Sequence, residues 1–375
     1  MGADVQGTGP VDPFGPPLTA SELAAAGDLR QYQPKSRPDW GKAWREMVLR
    51  AIDTYLDRAV ADLEATTDRY RILRRFEERA RYSSAVIEPR RGVYIDTETT
   101  GLDEDAKVVE LALRPFVFCA ETGVVGDIYP VIRMLEDPEE PLTPEVSAIN
   151  GLTDEMLRNQ RFDDALVEET LGEGHLCIAH HAEFDRPKLE RRFPSFASAF
   201  WACSFKDVSW RDHGFTCSQL AHLLQDGCRE FHDAHSAVDD AAVGLHLLAS
   251  IRLGDAPALQ TLLTTARIPS YHVWALDAPF DVKDELKFAQ PTRYEWNDGT
   301  DGRPKAWHVA VRGEAALVHQ LEFLRDVYGP SRIGIRRITA KDRYSIRELG
   351  ATPSRVLLAD ALAAASAALI SQSEG

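Results

Sequence analysis

Apolar positions change their spacing along this chain, and each change marks an element. Residues 1–38 are rich in Pro and Gly with little apolar periodicity, which predicts a flexible lead. From Asp39, Trp44, Val48, Ala51, Tyr55, Ala59 and Leu63 recur three and four apart, the period of a helix. The same period over residues 68–81, with Ile72, Leu73, Phe76 and Ala80 inward, predicts a second helix with a basic outer face. Residues 39–88 thus read as an N-terminal helical region.

From Gly92 the apolar residues condense into short runs. GVYID, KVVELALRPFVF, VVGDIYPVI and GHLCIAH read as strands, the last almost continuously apolar, as a buried strand should be. Helical stretches are expected at 143–149, 163–171, 184–192, 218–225 and 237–251. Three strands in a row, then alternating helices and strands, predict an α/β fold with a mixed sheet flanked by helices over residues 90–253. A helical linker at 257–267 opens a small aromatic-rich α+β module, residues 254–346. In it a strand, a short helix, two hairpin arms around NDGTDGRP, a helix at 314–328 and a strand at 332–338 follow one another. Residues 350–375 read as an Ala-rich helical tail.

Composition narrows the class. Of 375 residues, 44% are hydrophobic and 27% charged, as in a soluble globular protein, and no long apolar run marks a membrane span. The N-terminus lacks a basic and an apolar signal region. Five cysteines without a CxxC pair read as reduced thiols in a cytoplasmic protein. The net charge of −16 is unevenly placed: residues 92–254 carry 13 Lys/Arg against 30 Asp/Glu, a net of −17. Such a block is either a solvated surface or a store of carboxylates for hard cations.

Three segments inside this block carry chemistry. In YIDTETTG, Asp96 and Glu98 end a hydrophobic strand, and residues two apart on a strand share a face. Two carboxylates so placed repel unless a cation lies between them. In IAHHAEFDRPKL, Asp185 starts a helix after a buried strand. In FHDAHSAVDDA, His235 stands five residues before Asp240, at the start of an apolar helix. Each segment alone has a bland reading as a helix cap or solvated face.

Together, and in this order, the three resemble the DEDDh group of 3′–5′ exonucleases, which includes ribonuclease T and the DNA polymerase III epsilon subunit. YIDTETTGL matches the first family motif, AHHAEFDRPKL the second and HSAVDDA the third; AINGLTDEML is similar to the family's intervening segment. The resemblance implies a ribonuclease H-like sheet. It implies a metal-dependent 3′–5′ exonuclease acting on nucleic acid, DNA somewhat favoured over RNA, with a single-stranded 3′ end as substrate. It implies two divalent cations, Mg²⁺ or Mn²⁺, about 4 Å apart. Asp96 would bridge them, Glu98 and Asp240 would hold the water-activating ion, Asp185 would help hold the other, and His235 would be the general base. Thr99, Gly101, Leu102, His181 and Phe184 would contact substrate. His181 replaces the Asn usual in the second motif, which puts substrate preference in doubt. Asp239 beside Asp240 leaves a one-residue ambiguity. The alternative is a silent nuclease fold acting as a nucleic-acid-binding or adaptor protein. A homodimer, or a replication or repair partner, is left open.

Overall fold

The computed structural model describes residues 37–66, 71–172, 175–232, 236–348 and 351–373. The chain divides into two units, Met1–Ile72 and Leu73–Gly375. In the first, α1 (Arg37–Thr66) is the expected helix, but its apolar stripe is not covered: Trp44, Tyr55 and Leu63 are exposed. The expected flexible lead at 1–38 lies almost wholly outside the described residues.

The second expected helix is not formed. Residues 71–88 are non-helical, and Arg74–Arg75 (β1) pairs in parallel with Glu230–Phe231 (β8). The backbone of Phe76 donates to Phe231 at 2.8 Å, Tyr82 donates to Gly126 and Ala80 accepts from Ile128. Phe76 and Tyr82 pack onto the core that includes Tyr94 and Leu248. Tertiary partners thus take the hydrogen bonds that a helix would have used, and helical periodicity is overridden.

The central sheet is built from β2 (Pro89–Thr99), β3 (Val108–Cys119), β4 (Val125–Ile128), β5 (Ile132–Leu135), β6 (Leu176–Ala179) and β7 (Phe200–Cys203). Its order is β4-β3-β2-β6-β7, with β5 also on β3. β3 runs antiparallel to β2, whereas β6 and β7 are parallel to it. This is the mixed α/β, ribonuclease H-like sheet expected. The run VVGDIYPVI breaks into two strands at Pro130, since proline cannot continue a ladder.

Helices cover both faces. α2 (Pro144–Asn150), α3 (Asp154–Leu157) and α4 (Asp164–Leu171) precede β6, and α5 (Ala182–Arg192) follows it. α6 (Leu220–Leu223) and α7 (Ala237–Ser250) come after β7. Alternation along β2 sorts the core into two layers. Val93 and Ile95 face Leu189 of α5, while Tyr94 faces Ala241, Val243 and Leu248 of α7.

After the β9–β10 turn (Arg252–Leu253, Ala256–Pro257) and α8 (Ala258–Arg267), a second sheet begins. Its elements are β11 (Ser270–Ala275), α9 (Lys283–Lys287), β12 (Glu295–Asn297), β13 (Ala306–Arg312), α10 (Glu314–Val327) and β14 (Arg332–Ile338). All pairings are antiparallel and the order is β12-β13-β11-β14, with β15 (Ser354–Leu357) beside β14. The first four strands and two helices form a β-α-β-β-α-β unit. The tail departs from the all-helical expectation: β15 (Ser354–Leu357) adds an edge strand before α11 (Leu358–Ser373).

A buried network ties the segment after β14 to the first sheet. Arg186 of α5 pairs with Glu190 at 2.6 Å and donates to the carbonyls of Lys341 and Arg343, both at 2.7 Å. Glu190 also accepts from Ser345 and Ile346. Among the described residues no helix is long and apolar enough to cross a membrane. All five cysteines are free thiols.

Candidate active site

The site lies where β2 ends and helices from both layers begin. Asp96 and Glu98 sit on the α7 side of β2, two residues apart as strand alternation requires. α7 is brought unusually close to that face. A Cβ placed on Gly244 would lie 2.1 Å from the buried Tyr94 ring, so only glycine permits the approach. Tyr94 precedes Asp96 by two and Asp240 precedes Gly244 by four. The contact therefore sets the strand carboxylate against the helix carboxylate. One ligand oxygen each from Asp96, Glu98 and Asp240 lies within 4.8 Å of the others.

Asp185 arrives from the opposite layer. It is the fourth residue of α5, is buried, and accepts from Thr97 Oγ1 at 2.7 Å. Thr97 points away from the Asp96 face, so this bond bridges the layers. Asp185 stands outside the close trio but is electrostatically felt by Asp96.

Crowding has a cost visible in acidity. Burial pushes the Asp96 carboxyl well above its usual range, and Asp185, Asp240, Glu98 and Glu110 push it further. Glu98 rises to about 7, through burial first and then Glu110, Asp240 and Asp185. Asp185 rises to about 7 through burial, although Thr97 and Lys188 oppose the shift. A set of converging oxygen donors that resists ionisation in isolation is suited to a hard divalent cation.

Several partners escaped the sequence reading. Glu110 is buried directly opposite Glu98 in the β2–β3 register. It accepts from Arg133 and, at 3.4 Å, from the Ala237 backbone at the head of α7. His232 Nε2 lies 2.7 Å from Asp240 Oδ1. It sits in the same FHDAHSAVDDA segment as His235, but no spacing rule singled it out. His235 itself lies outside the described residues, as do residues 233 and 234. Asp239 is exposed and Asp240 half-buried, and only Asp240 joins the trio.

The other expected contact residues divide. Thr99 is buried and donates to the Gly101 carbonyl at 2.6 Å, shaping the turn after β2. Gly101 has open space where a Cβ would project, and Leu102 is 87% exposed. Phe184 is half-buried, with Lys188 Nζ 3.6 Å from its ring centre. Leu102 and Phe184 line a cleft of about 1130 Å³; Thr99, Gly101 and His181 are not among its lining residues. His181 is exposed, its ring 4.5 Å from that of Phe205. Burial, then Lys206, lowers its pKa.

Part of this chain resembles known proteins. Residues 93–248 match the exonuclease family model RNase_T. The chain is 30% identical over 167 residues to a PolC-type DNA polymerase III of Halalkalibacterium halodurans, covering 42% of this chain and 11% of that one. It is 29% identical over 172 residues to the DNA polymerase III epsilon subunit of Treponema pallidum, covering 42% of this chain and 74% of that one. The chain thus spans about a tenth of the length of the polymerase it matches. Among solved structures, Exonuclease X in complex with 5′ overhanging duplex DNA aligns at 20% identity and a TM-score of 0.32, over 45% of this chain and 98% of that one. E. coli Exonuclease I with a dA16 oligonucleotide aligns at 15% identity and a TM-score of 0.37, over 50% and 49%. Matched in sequence over 93–248 and carrying the three acidic segments in order, that stretch resembles the exonuclease family and, within it, the DEDDh superfamily.

Proposed function

We propose that this protein removes nucleotides from the 3′ end of a single nucleic-acid strand, DNA somewhat favoured over RNA. The observation that carries the reading is the convergence of Asp96, Glu98 and Asp240, from two distant segments, within 4.8 Å. Asp96, Glu98 and Asp240, with Asp185 nearby, would hold the divalent cations, Mg²⁺ or Mn²⁺, that such a reaction needs. Bound there, the cations would activate a water and compensate charge at the leaving 3′ oxygen.

The chain's own groups do the rest. Thr97 fixes the Asp185 carboxylate, and His232 fixes that of Asp240. His235 takes the proton of the attacking water. Leu102 and Phe184 flank the terminal nucleotide, and the space beside Gly101 admits its sugar. A silent binding module is disfavoured because all four carboxylate positions are filled and gathered at one strand end.

The test uses blocked ends and His235→Ala at saturating Mg²⁺. A 3′-phosphate should strongly slow hydrolysis and a 5′ block should not. His235→Ala should lose about 10²–10⁴-fold in rate, the usual contribution of a positioned base, while retaining metal binding. An undiminished His235→Ala rate removes the base assignment. Indifference to the 3′ block removes the polarity.

A further inference from the structure

We propose that the uncovered face of the second sheet is a binding platform for the single-stranded polynucleotide whose 3′ end enters the carboxylate site. The inference deepens the nuclease reading and rests on it for the direction of the strand.

Strand alternation gives this sheet two unlike faces. Tyr271, Val273, Val309, Val311 and Ile333 face α10 and α11 and form a closed apolar core. Ser270, His272 and Trp274 of β11 face the other way, beside His308, Ala310 and Arg312 of β13. Arg336 of β14 lies opposite His272 on the same face. Among the described residues it is closed at both ends: Pro353 and Trp274 crowd Gly334 at one, and at the other Arg343 reaches Ser270 and Arg312 pairs with Asp207.

The exposed half has the parts that a strand needs. The rings of His272 and His308 flank that of Trp274, with centres 5.6 and 6.0 Å from it; Trp274 is buried, so the two histidines offer the ring surface. His272 and His308 are half-buried, so part of each ring is accessible, and Ala310 between them is small and exposed. Burial, then His308, Arg303 and Arg336, lowers His272 to about 4, so near neutral pH its ring is an uncharged stacking surface. Four-stranded sheets with helices on one face present bases to rings in this way in RNA-recognition folds. Fold likeness alone carries no function, so the residues decide.

Charge points the same way. The cleft that holds Leu102 and Phe184 continues to Ser270, His272 and Ala310, so the open face shares one groove with two of the proposed substrate contacts, although none of the four carboxylates lines it. Its lining has five cations, Lys188, Arg191, Arg303, Arg312 and Arg343, against three carboxylates, Glu104, Glu183 and Asp301, a net of +2. Arg312 is also paired with the buried Asp207 at 2.8 Å, Arg303 with Asp301 at 2.6 Å, and Glu295 stands opposite His308. The whole chain carries −16. A polyanion repelled by most of the surface is thus received along this groove.

The test measures fluorescence anisotropy of labelled oligo-dT and oligo-U, about fifteen nucleotides long, in EDTA at low salt. Ala310→Glu places a carboxylate on the platform at an exposed position. Arg303→Glu, the second variant, reverses a charge in the groove. Ala315→Glu, exposed on α10, is the control. Unfolding curves verify that all three fold. Wild type and Ala315→Glu should bind alike, and Ala310→Glu should bind at least about tenfold more weakly. Arg303→Glu should also flatten the salt dependence by about one unit of slope or more. Binding of either sugar supports the platform, and the tighter one names it. Binding by Ala310→Glu and Arg303→Glu equal to wild type, or no binding of either oligomer by wild type, overturns it. The nuclease reading fails separately: wild type that binds in EDTA but hydrolyses nothing with Mg²⁺ or Mn²⁺ leaves the platform standing without its enzyme.

Discussion

The two sheets of this molecule handle charge in opposite ways. At the end of β2, Asp96, Glu98, Asp185, Asp240 and Glu110 crowd together, and burial raises the pKa of the first three. On the open face of the second sheet, Arg303 and Arg312 each have a carboxylate partner, and the histidine among them is neutral. The first region stores electrostatic tension that a cation relieves. The second is nearly relaxed and keeps a small positive surplus. A net charge averaged over the chain hides this division, which is why −16 does not argue against a nucleic-acid enzyme.

The largest effect should come from breaking the tense region. Asp96→Asn keeps size and removes the central charge. Hydrolysis should fall by about 10³-fold or more, the scale of the several kcal/mol that metal sites supply. Melting should show the fold intact. Asp240→Ala should match it, while Asp239→Ala should stay near wild type, because Asp239 is exposed and outside the trio. The reverse pattern would shift the third segment by one residue.

Next comes the seam between the regions. Arg186→Ala leaves Glu190 buried without its charge partner, and should cost about 3–5 kcal/mol in denaturant unfolding. Gly244→Ala should cost about 1–3 kcal/mol by overpacking against Tyr94, although alanine normally favours a helix interior. A Gly244→Ala variant as stable and active as wild type would refute the close-approach account of the site.

The smallest effect is a pH dependence. Glu98 moves from 4.5 and Asp185 from 3.8, both to about 7, so the folded state holds protons that the unfolded state has lost. The metal-free protein should therefore lose stability as pH rises from about 4 to 7, and no more from these groups above that. Mg²⁺ competes with those protons, so it should raise Tm more at pH 8 than at pH 5. Equal shifts at both pH values would separate the cation from these carboxylates.

Much of this was legible in the sequence because it is local. The end of strand β2, the helix heads carrying Asp185 and Asp240, and the hairpin around NDGTDGRP all follow from periodicity and turn chemistry. The missed features are non-local. Residues 71–81 have helical spacing but find strand partners in β8 and at Gly126. Glu110 gains meaning only from lying opposite Glu98, and Gly244 only from Tyr94. Thr97 matters because it faces the other layer from its two acidic neighbours. The platform likewise emerges from strand order, which spacing along one chain does not encode.

The central claim is that the carboxylates gathered at the end of β2 cut a strand from its 3′ end with a divalent cation. One measurement addresses it directly. Wild-type protein is incubated with a single-stranded oligomer carrying a 5′ label on one sample and a 3′ label on another, with Mg²⁺ or with EDTA. The account predicts a ladder that shortens one nucleotide at a time while keeping the 5′ label, immediate release of the 3′ label as a mononucleotide, and silence in EDTA. Release of the 5′ label first, internal cleavage, or hydrolysis that survives EDTA would contradict it.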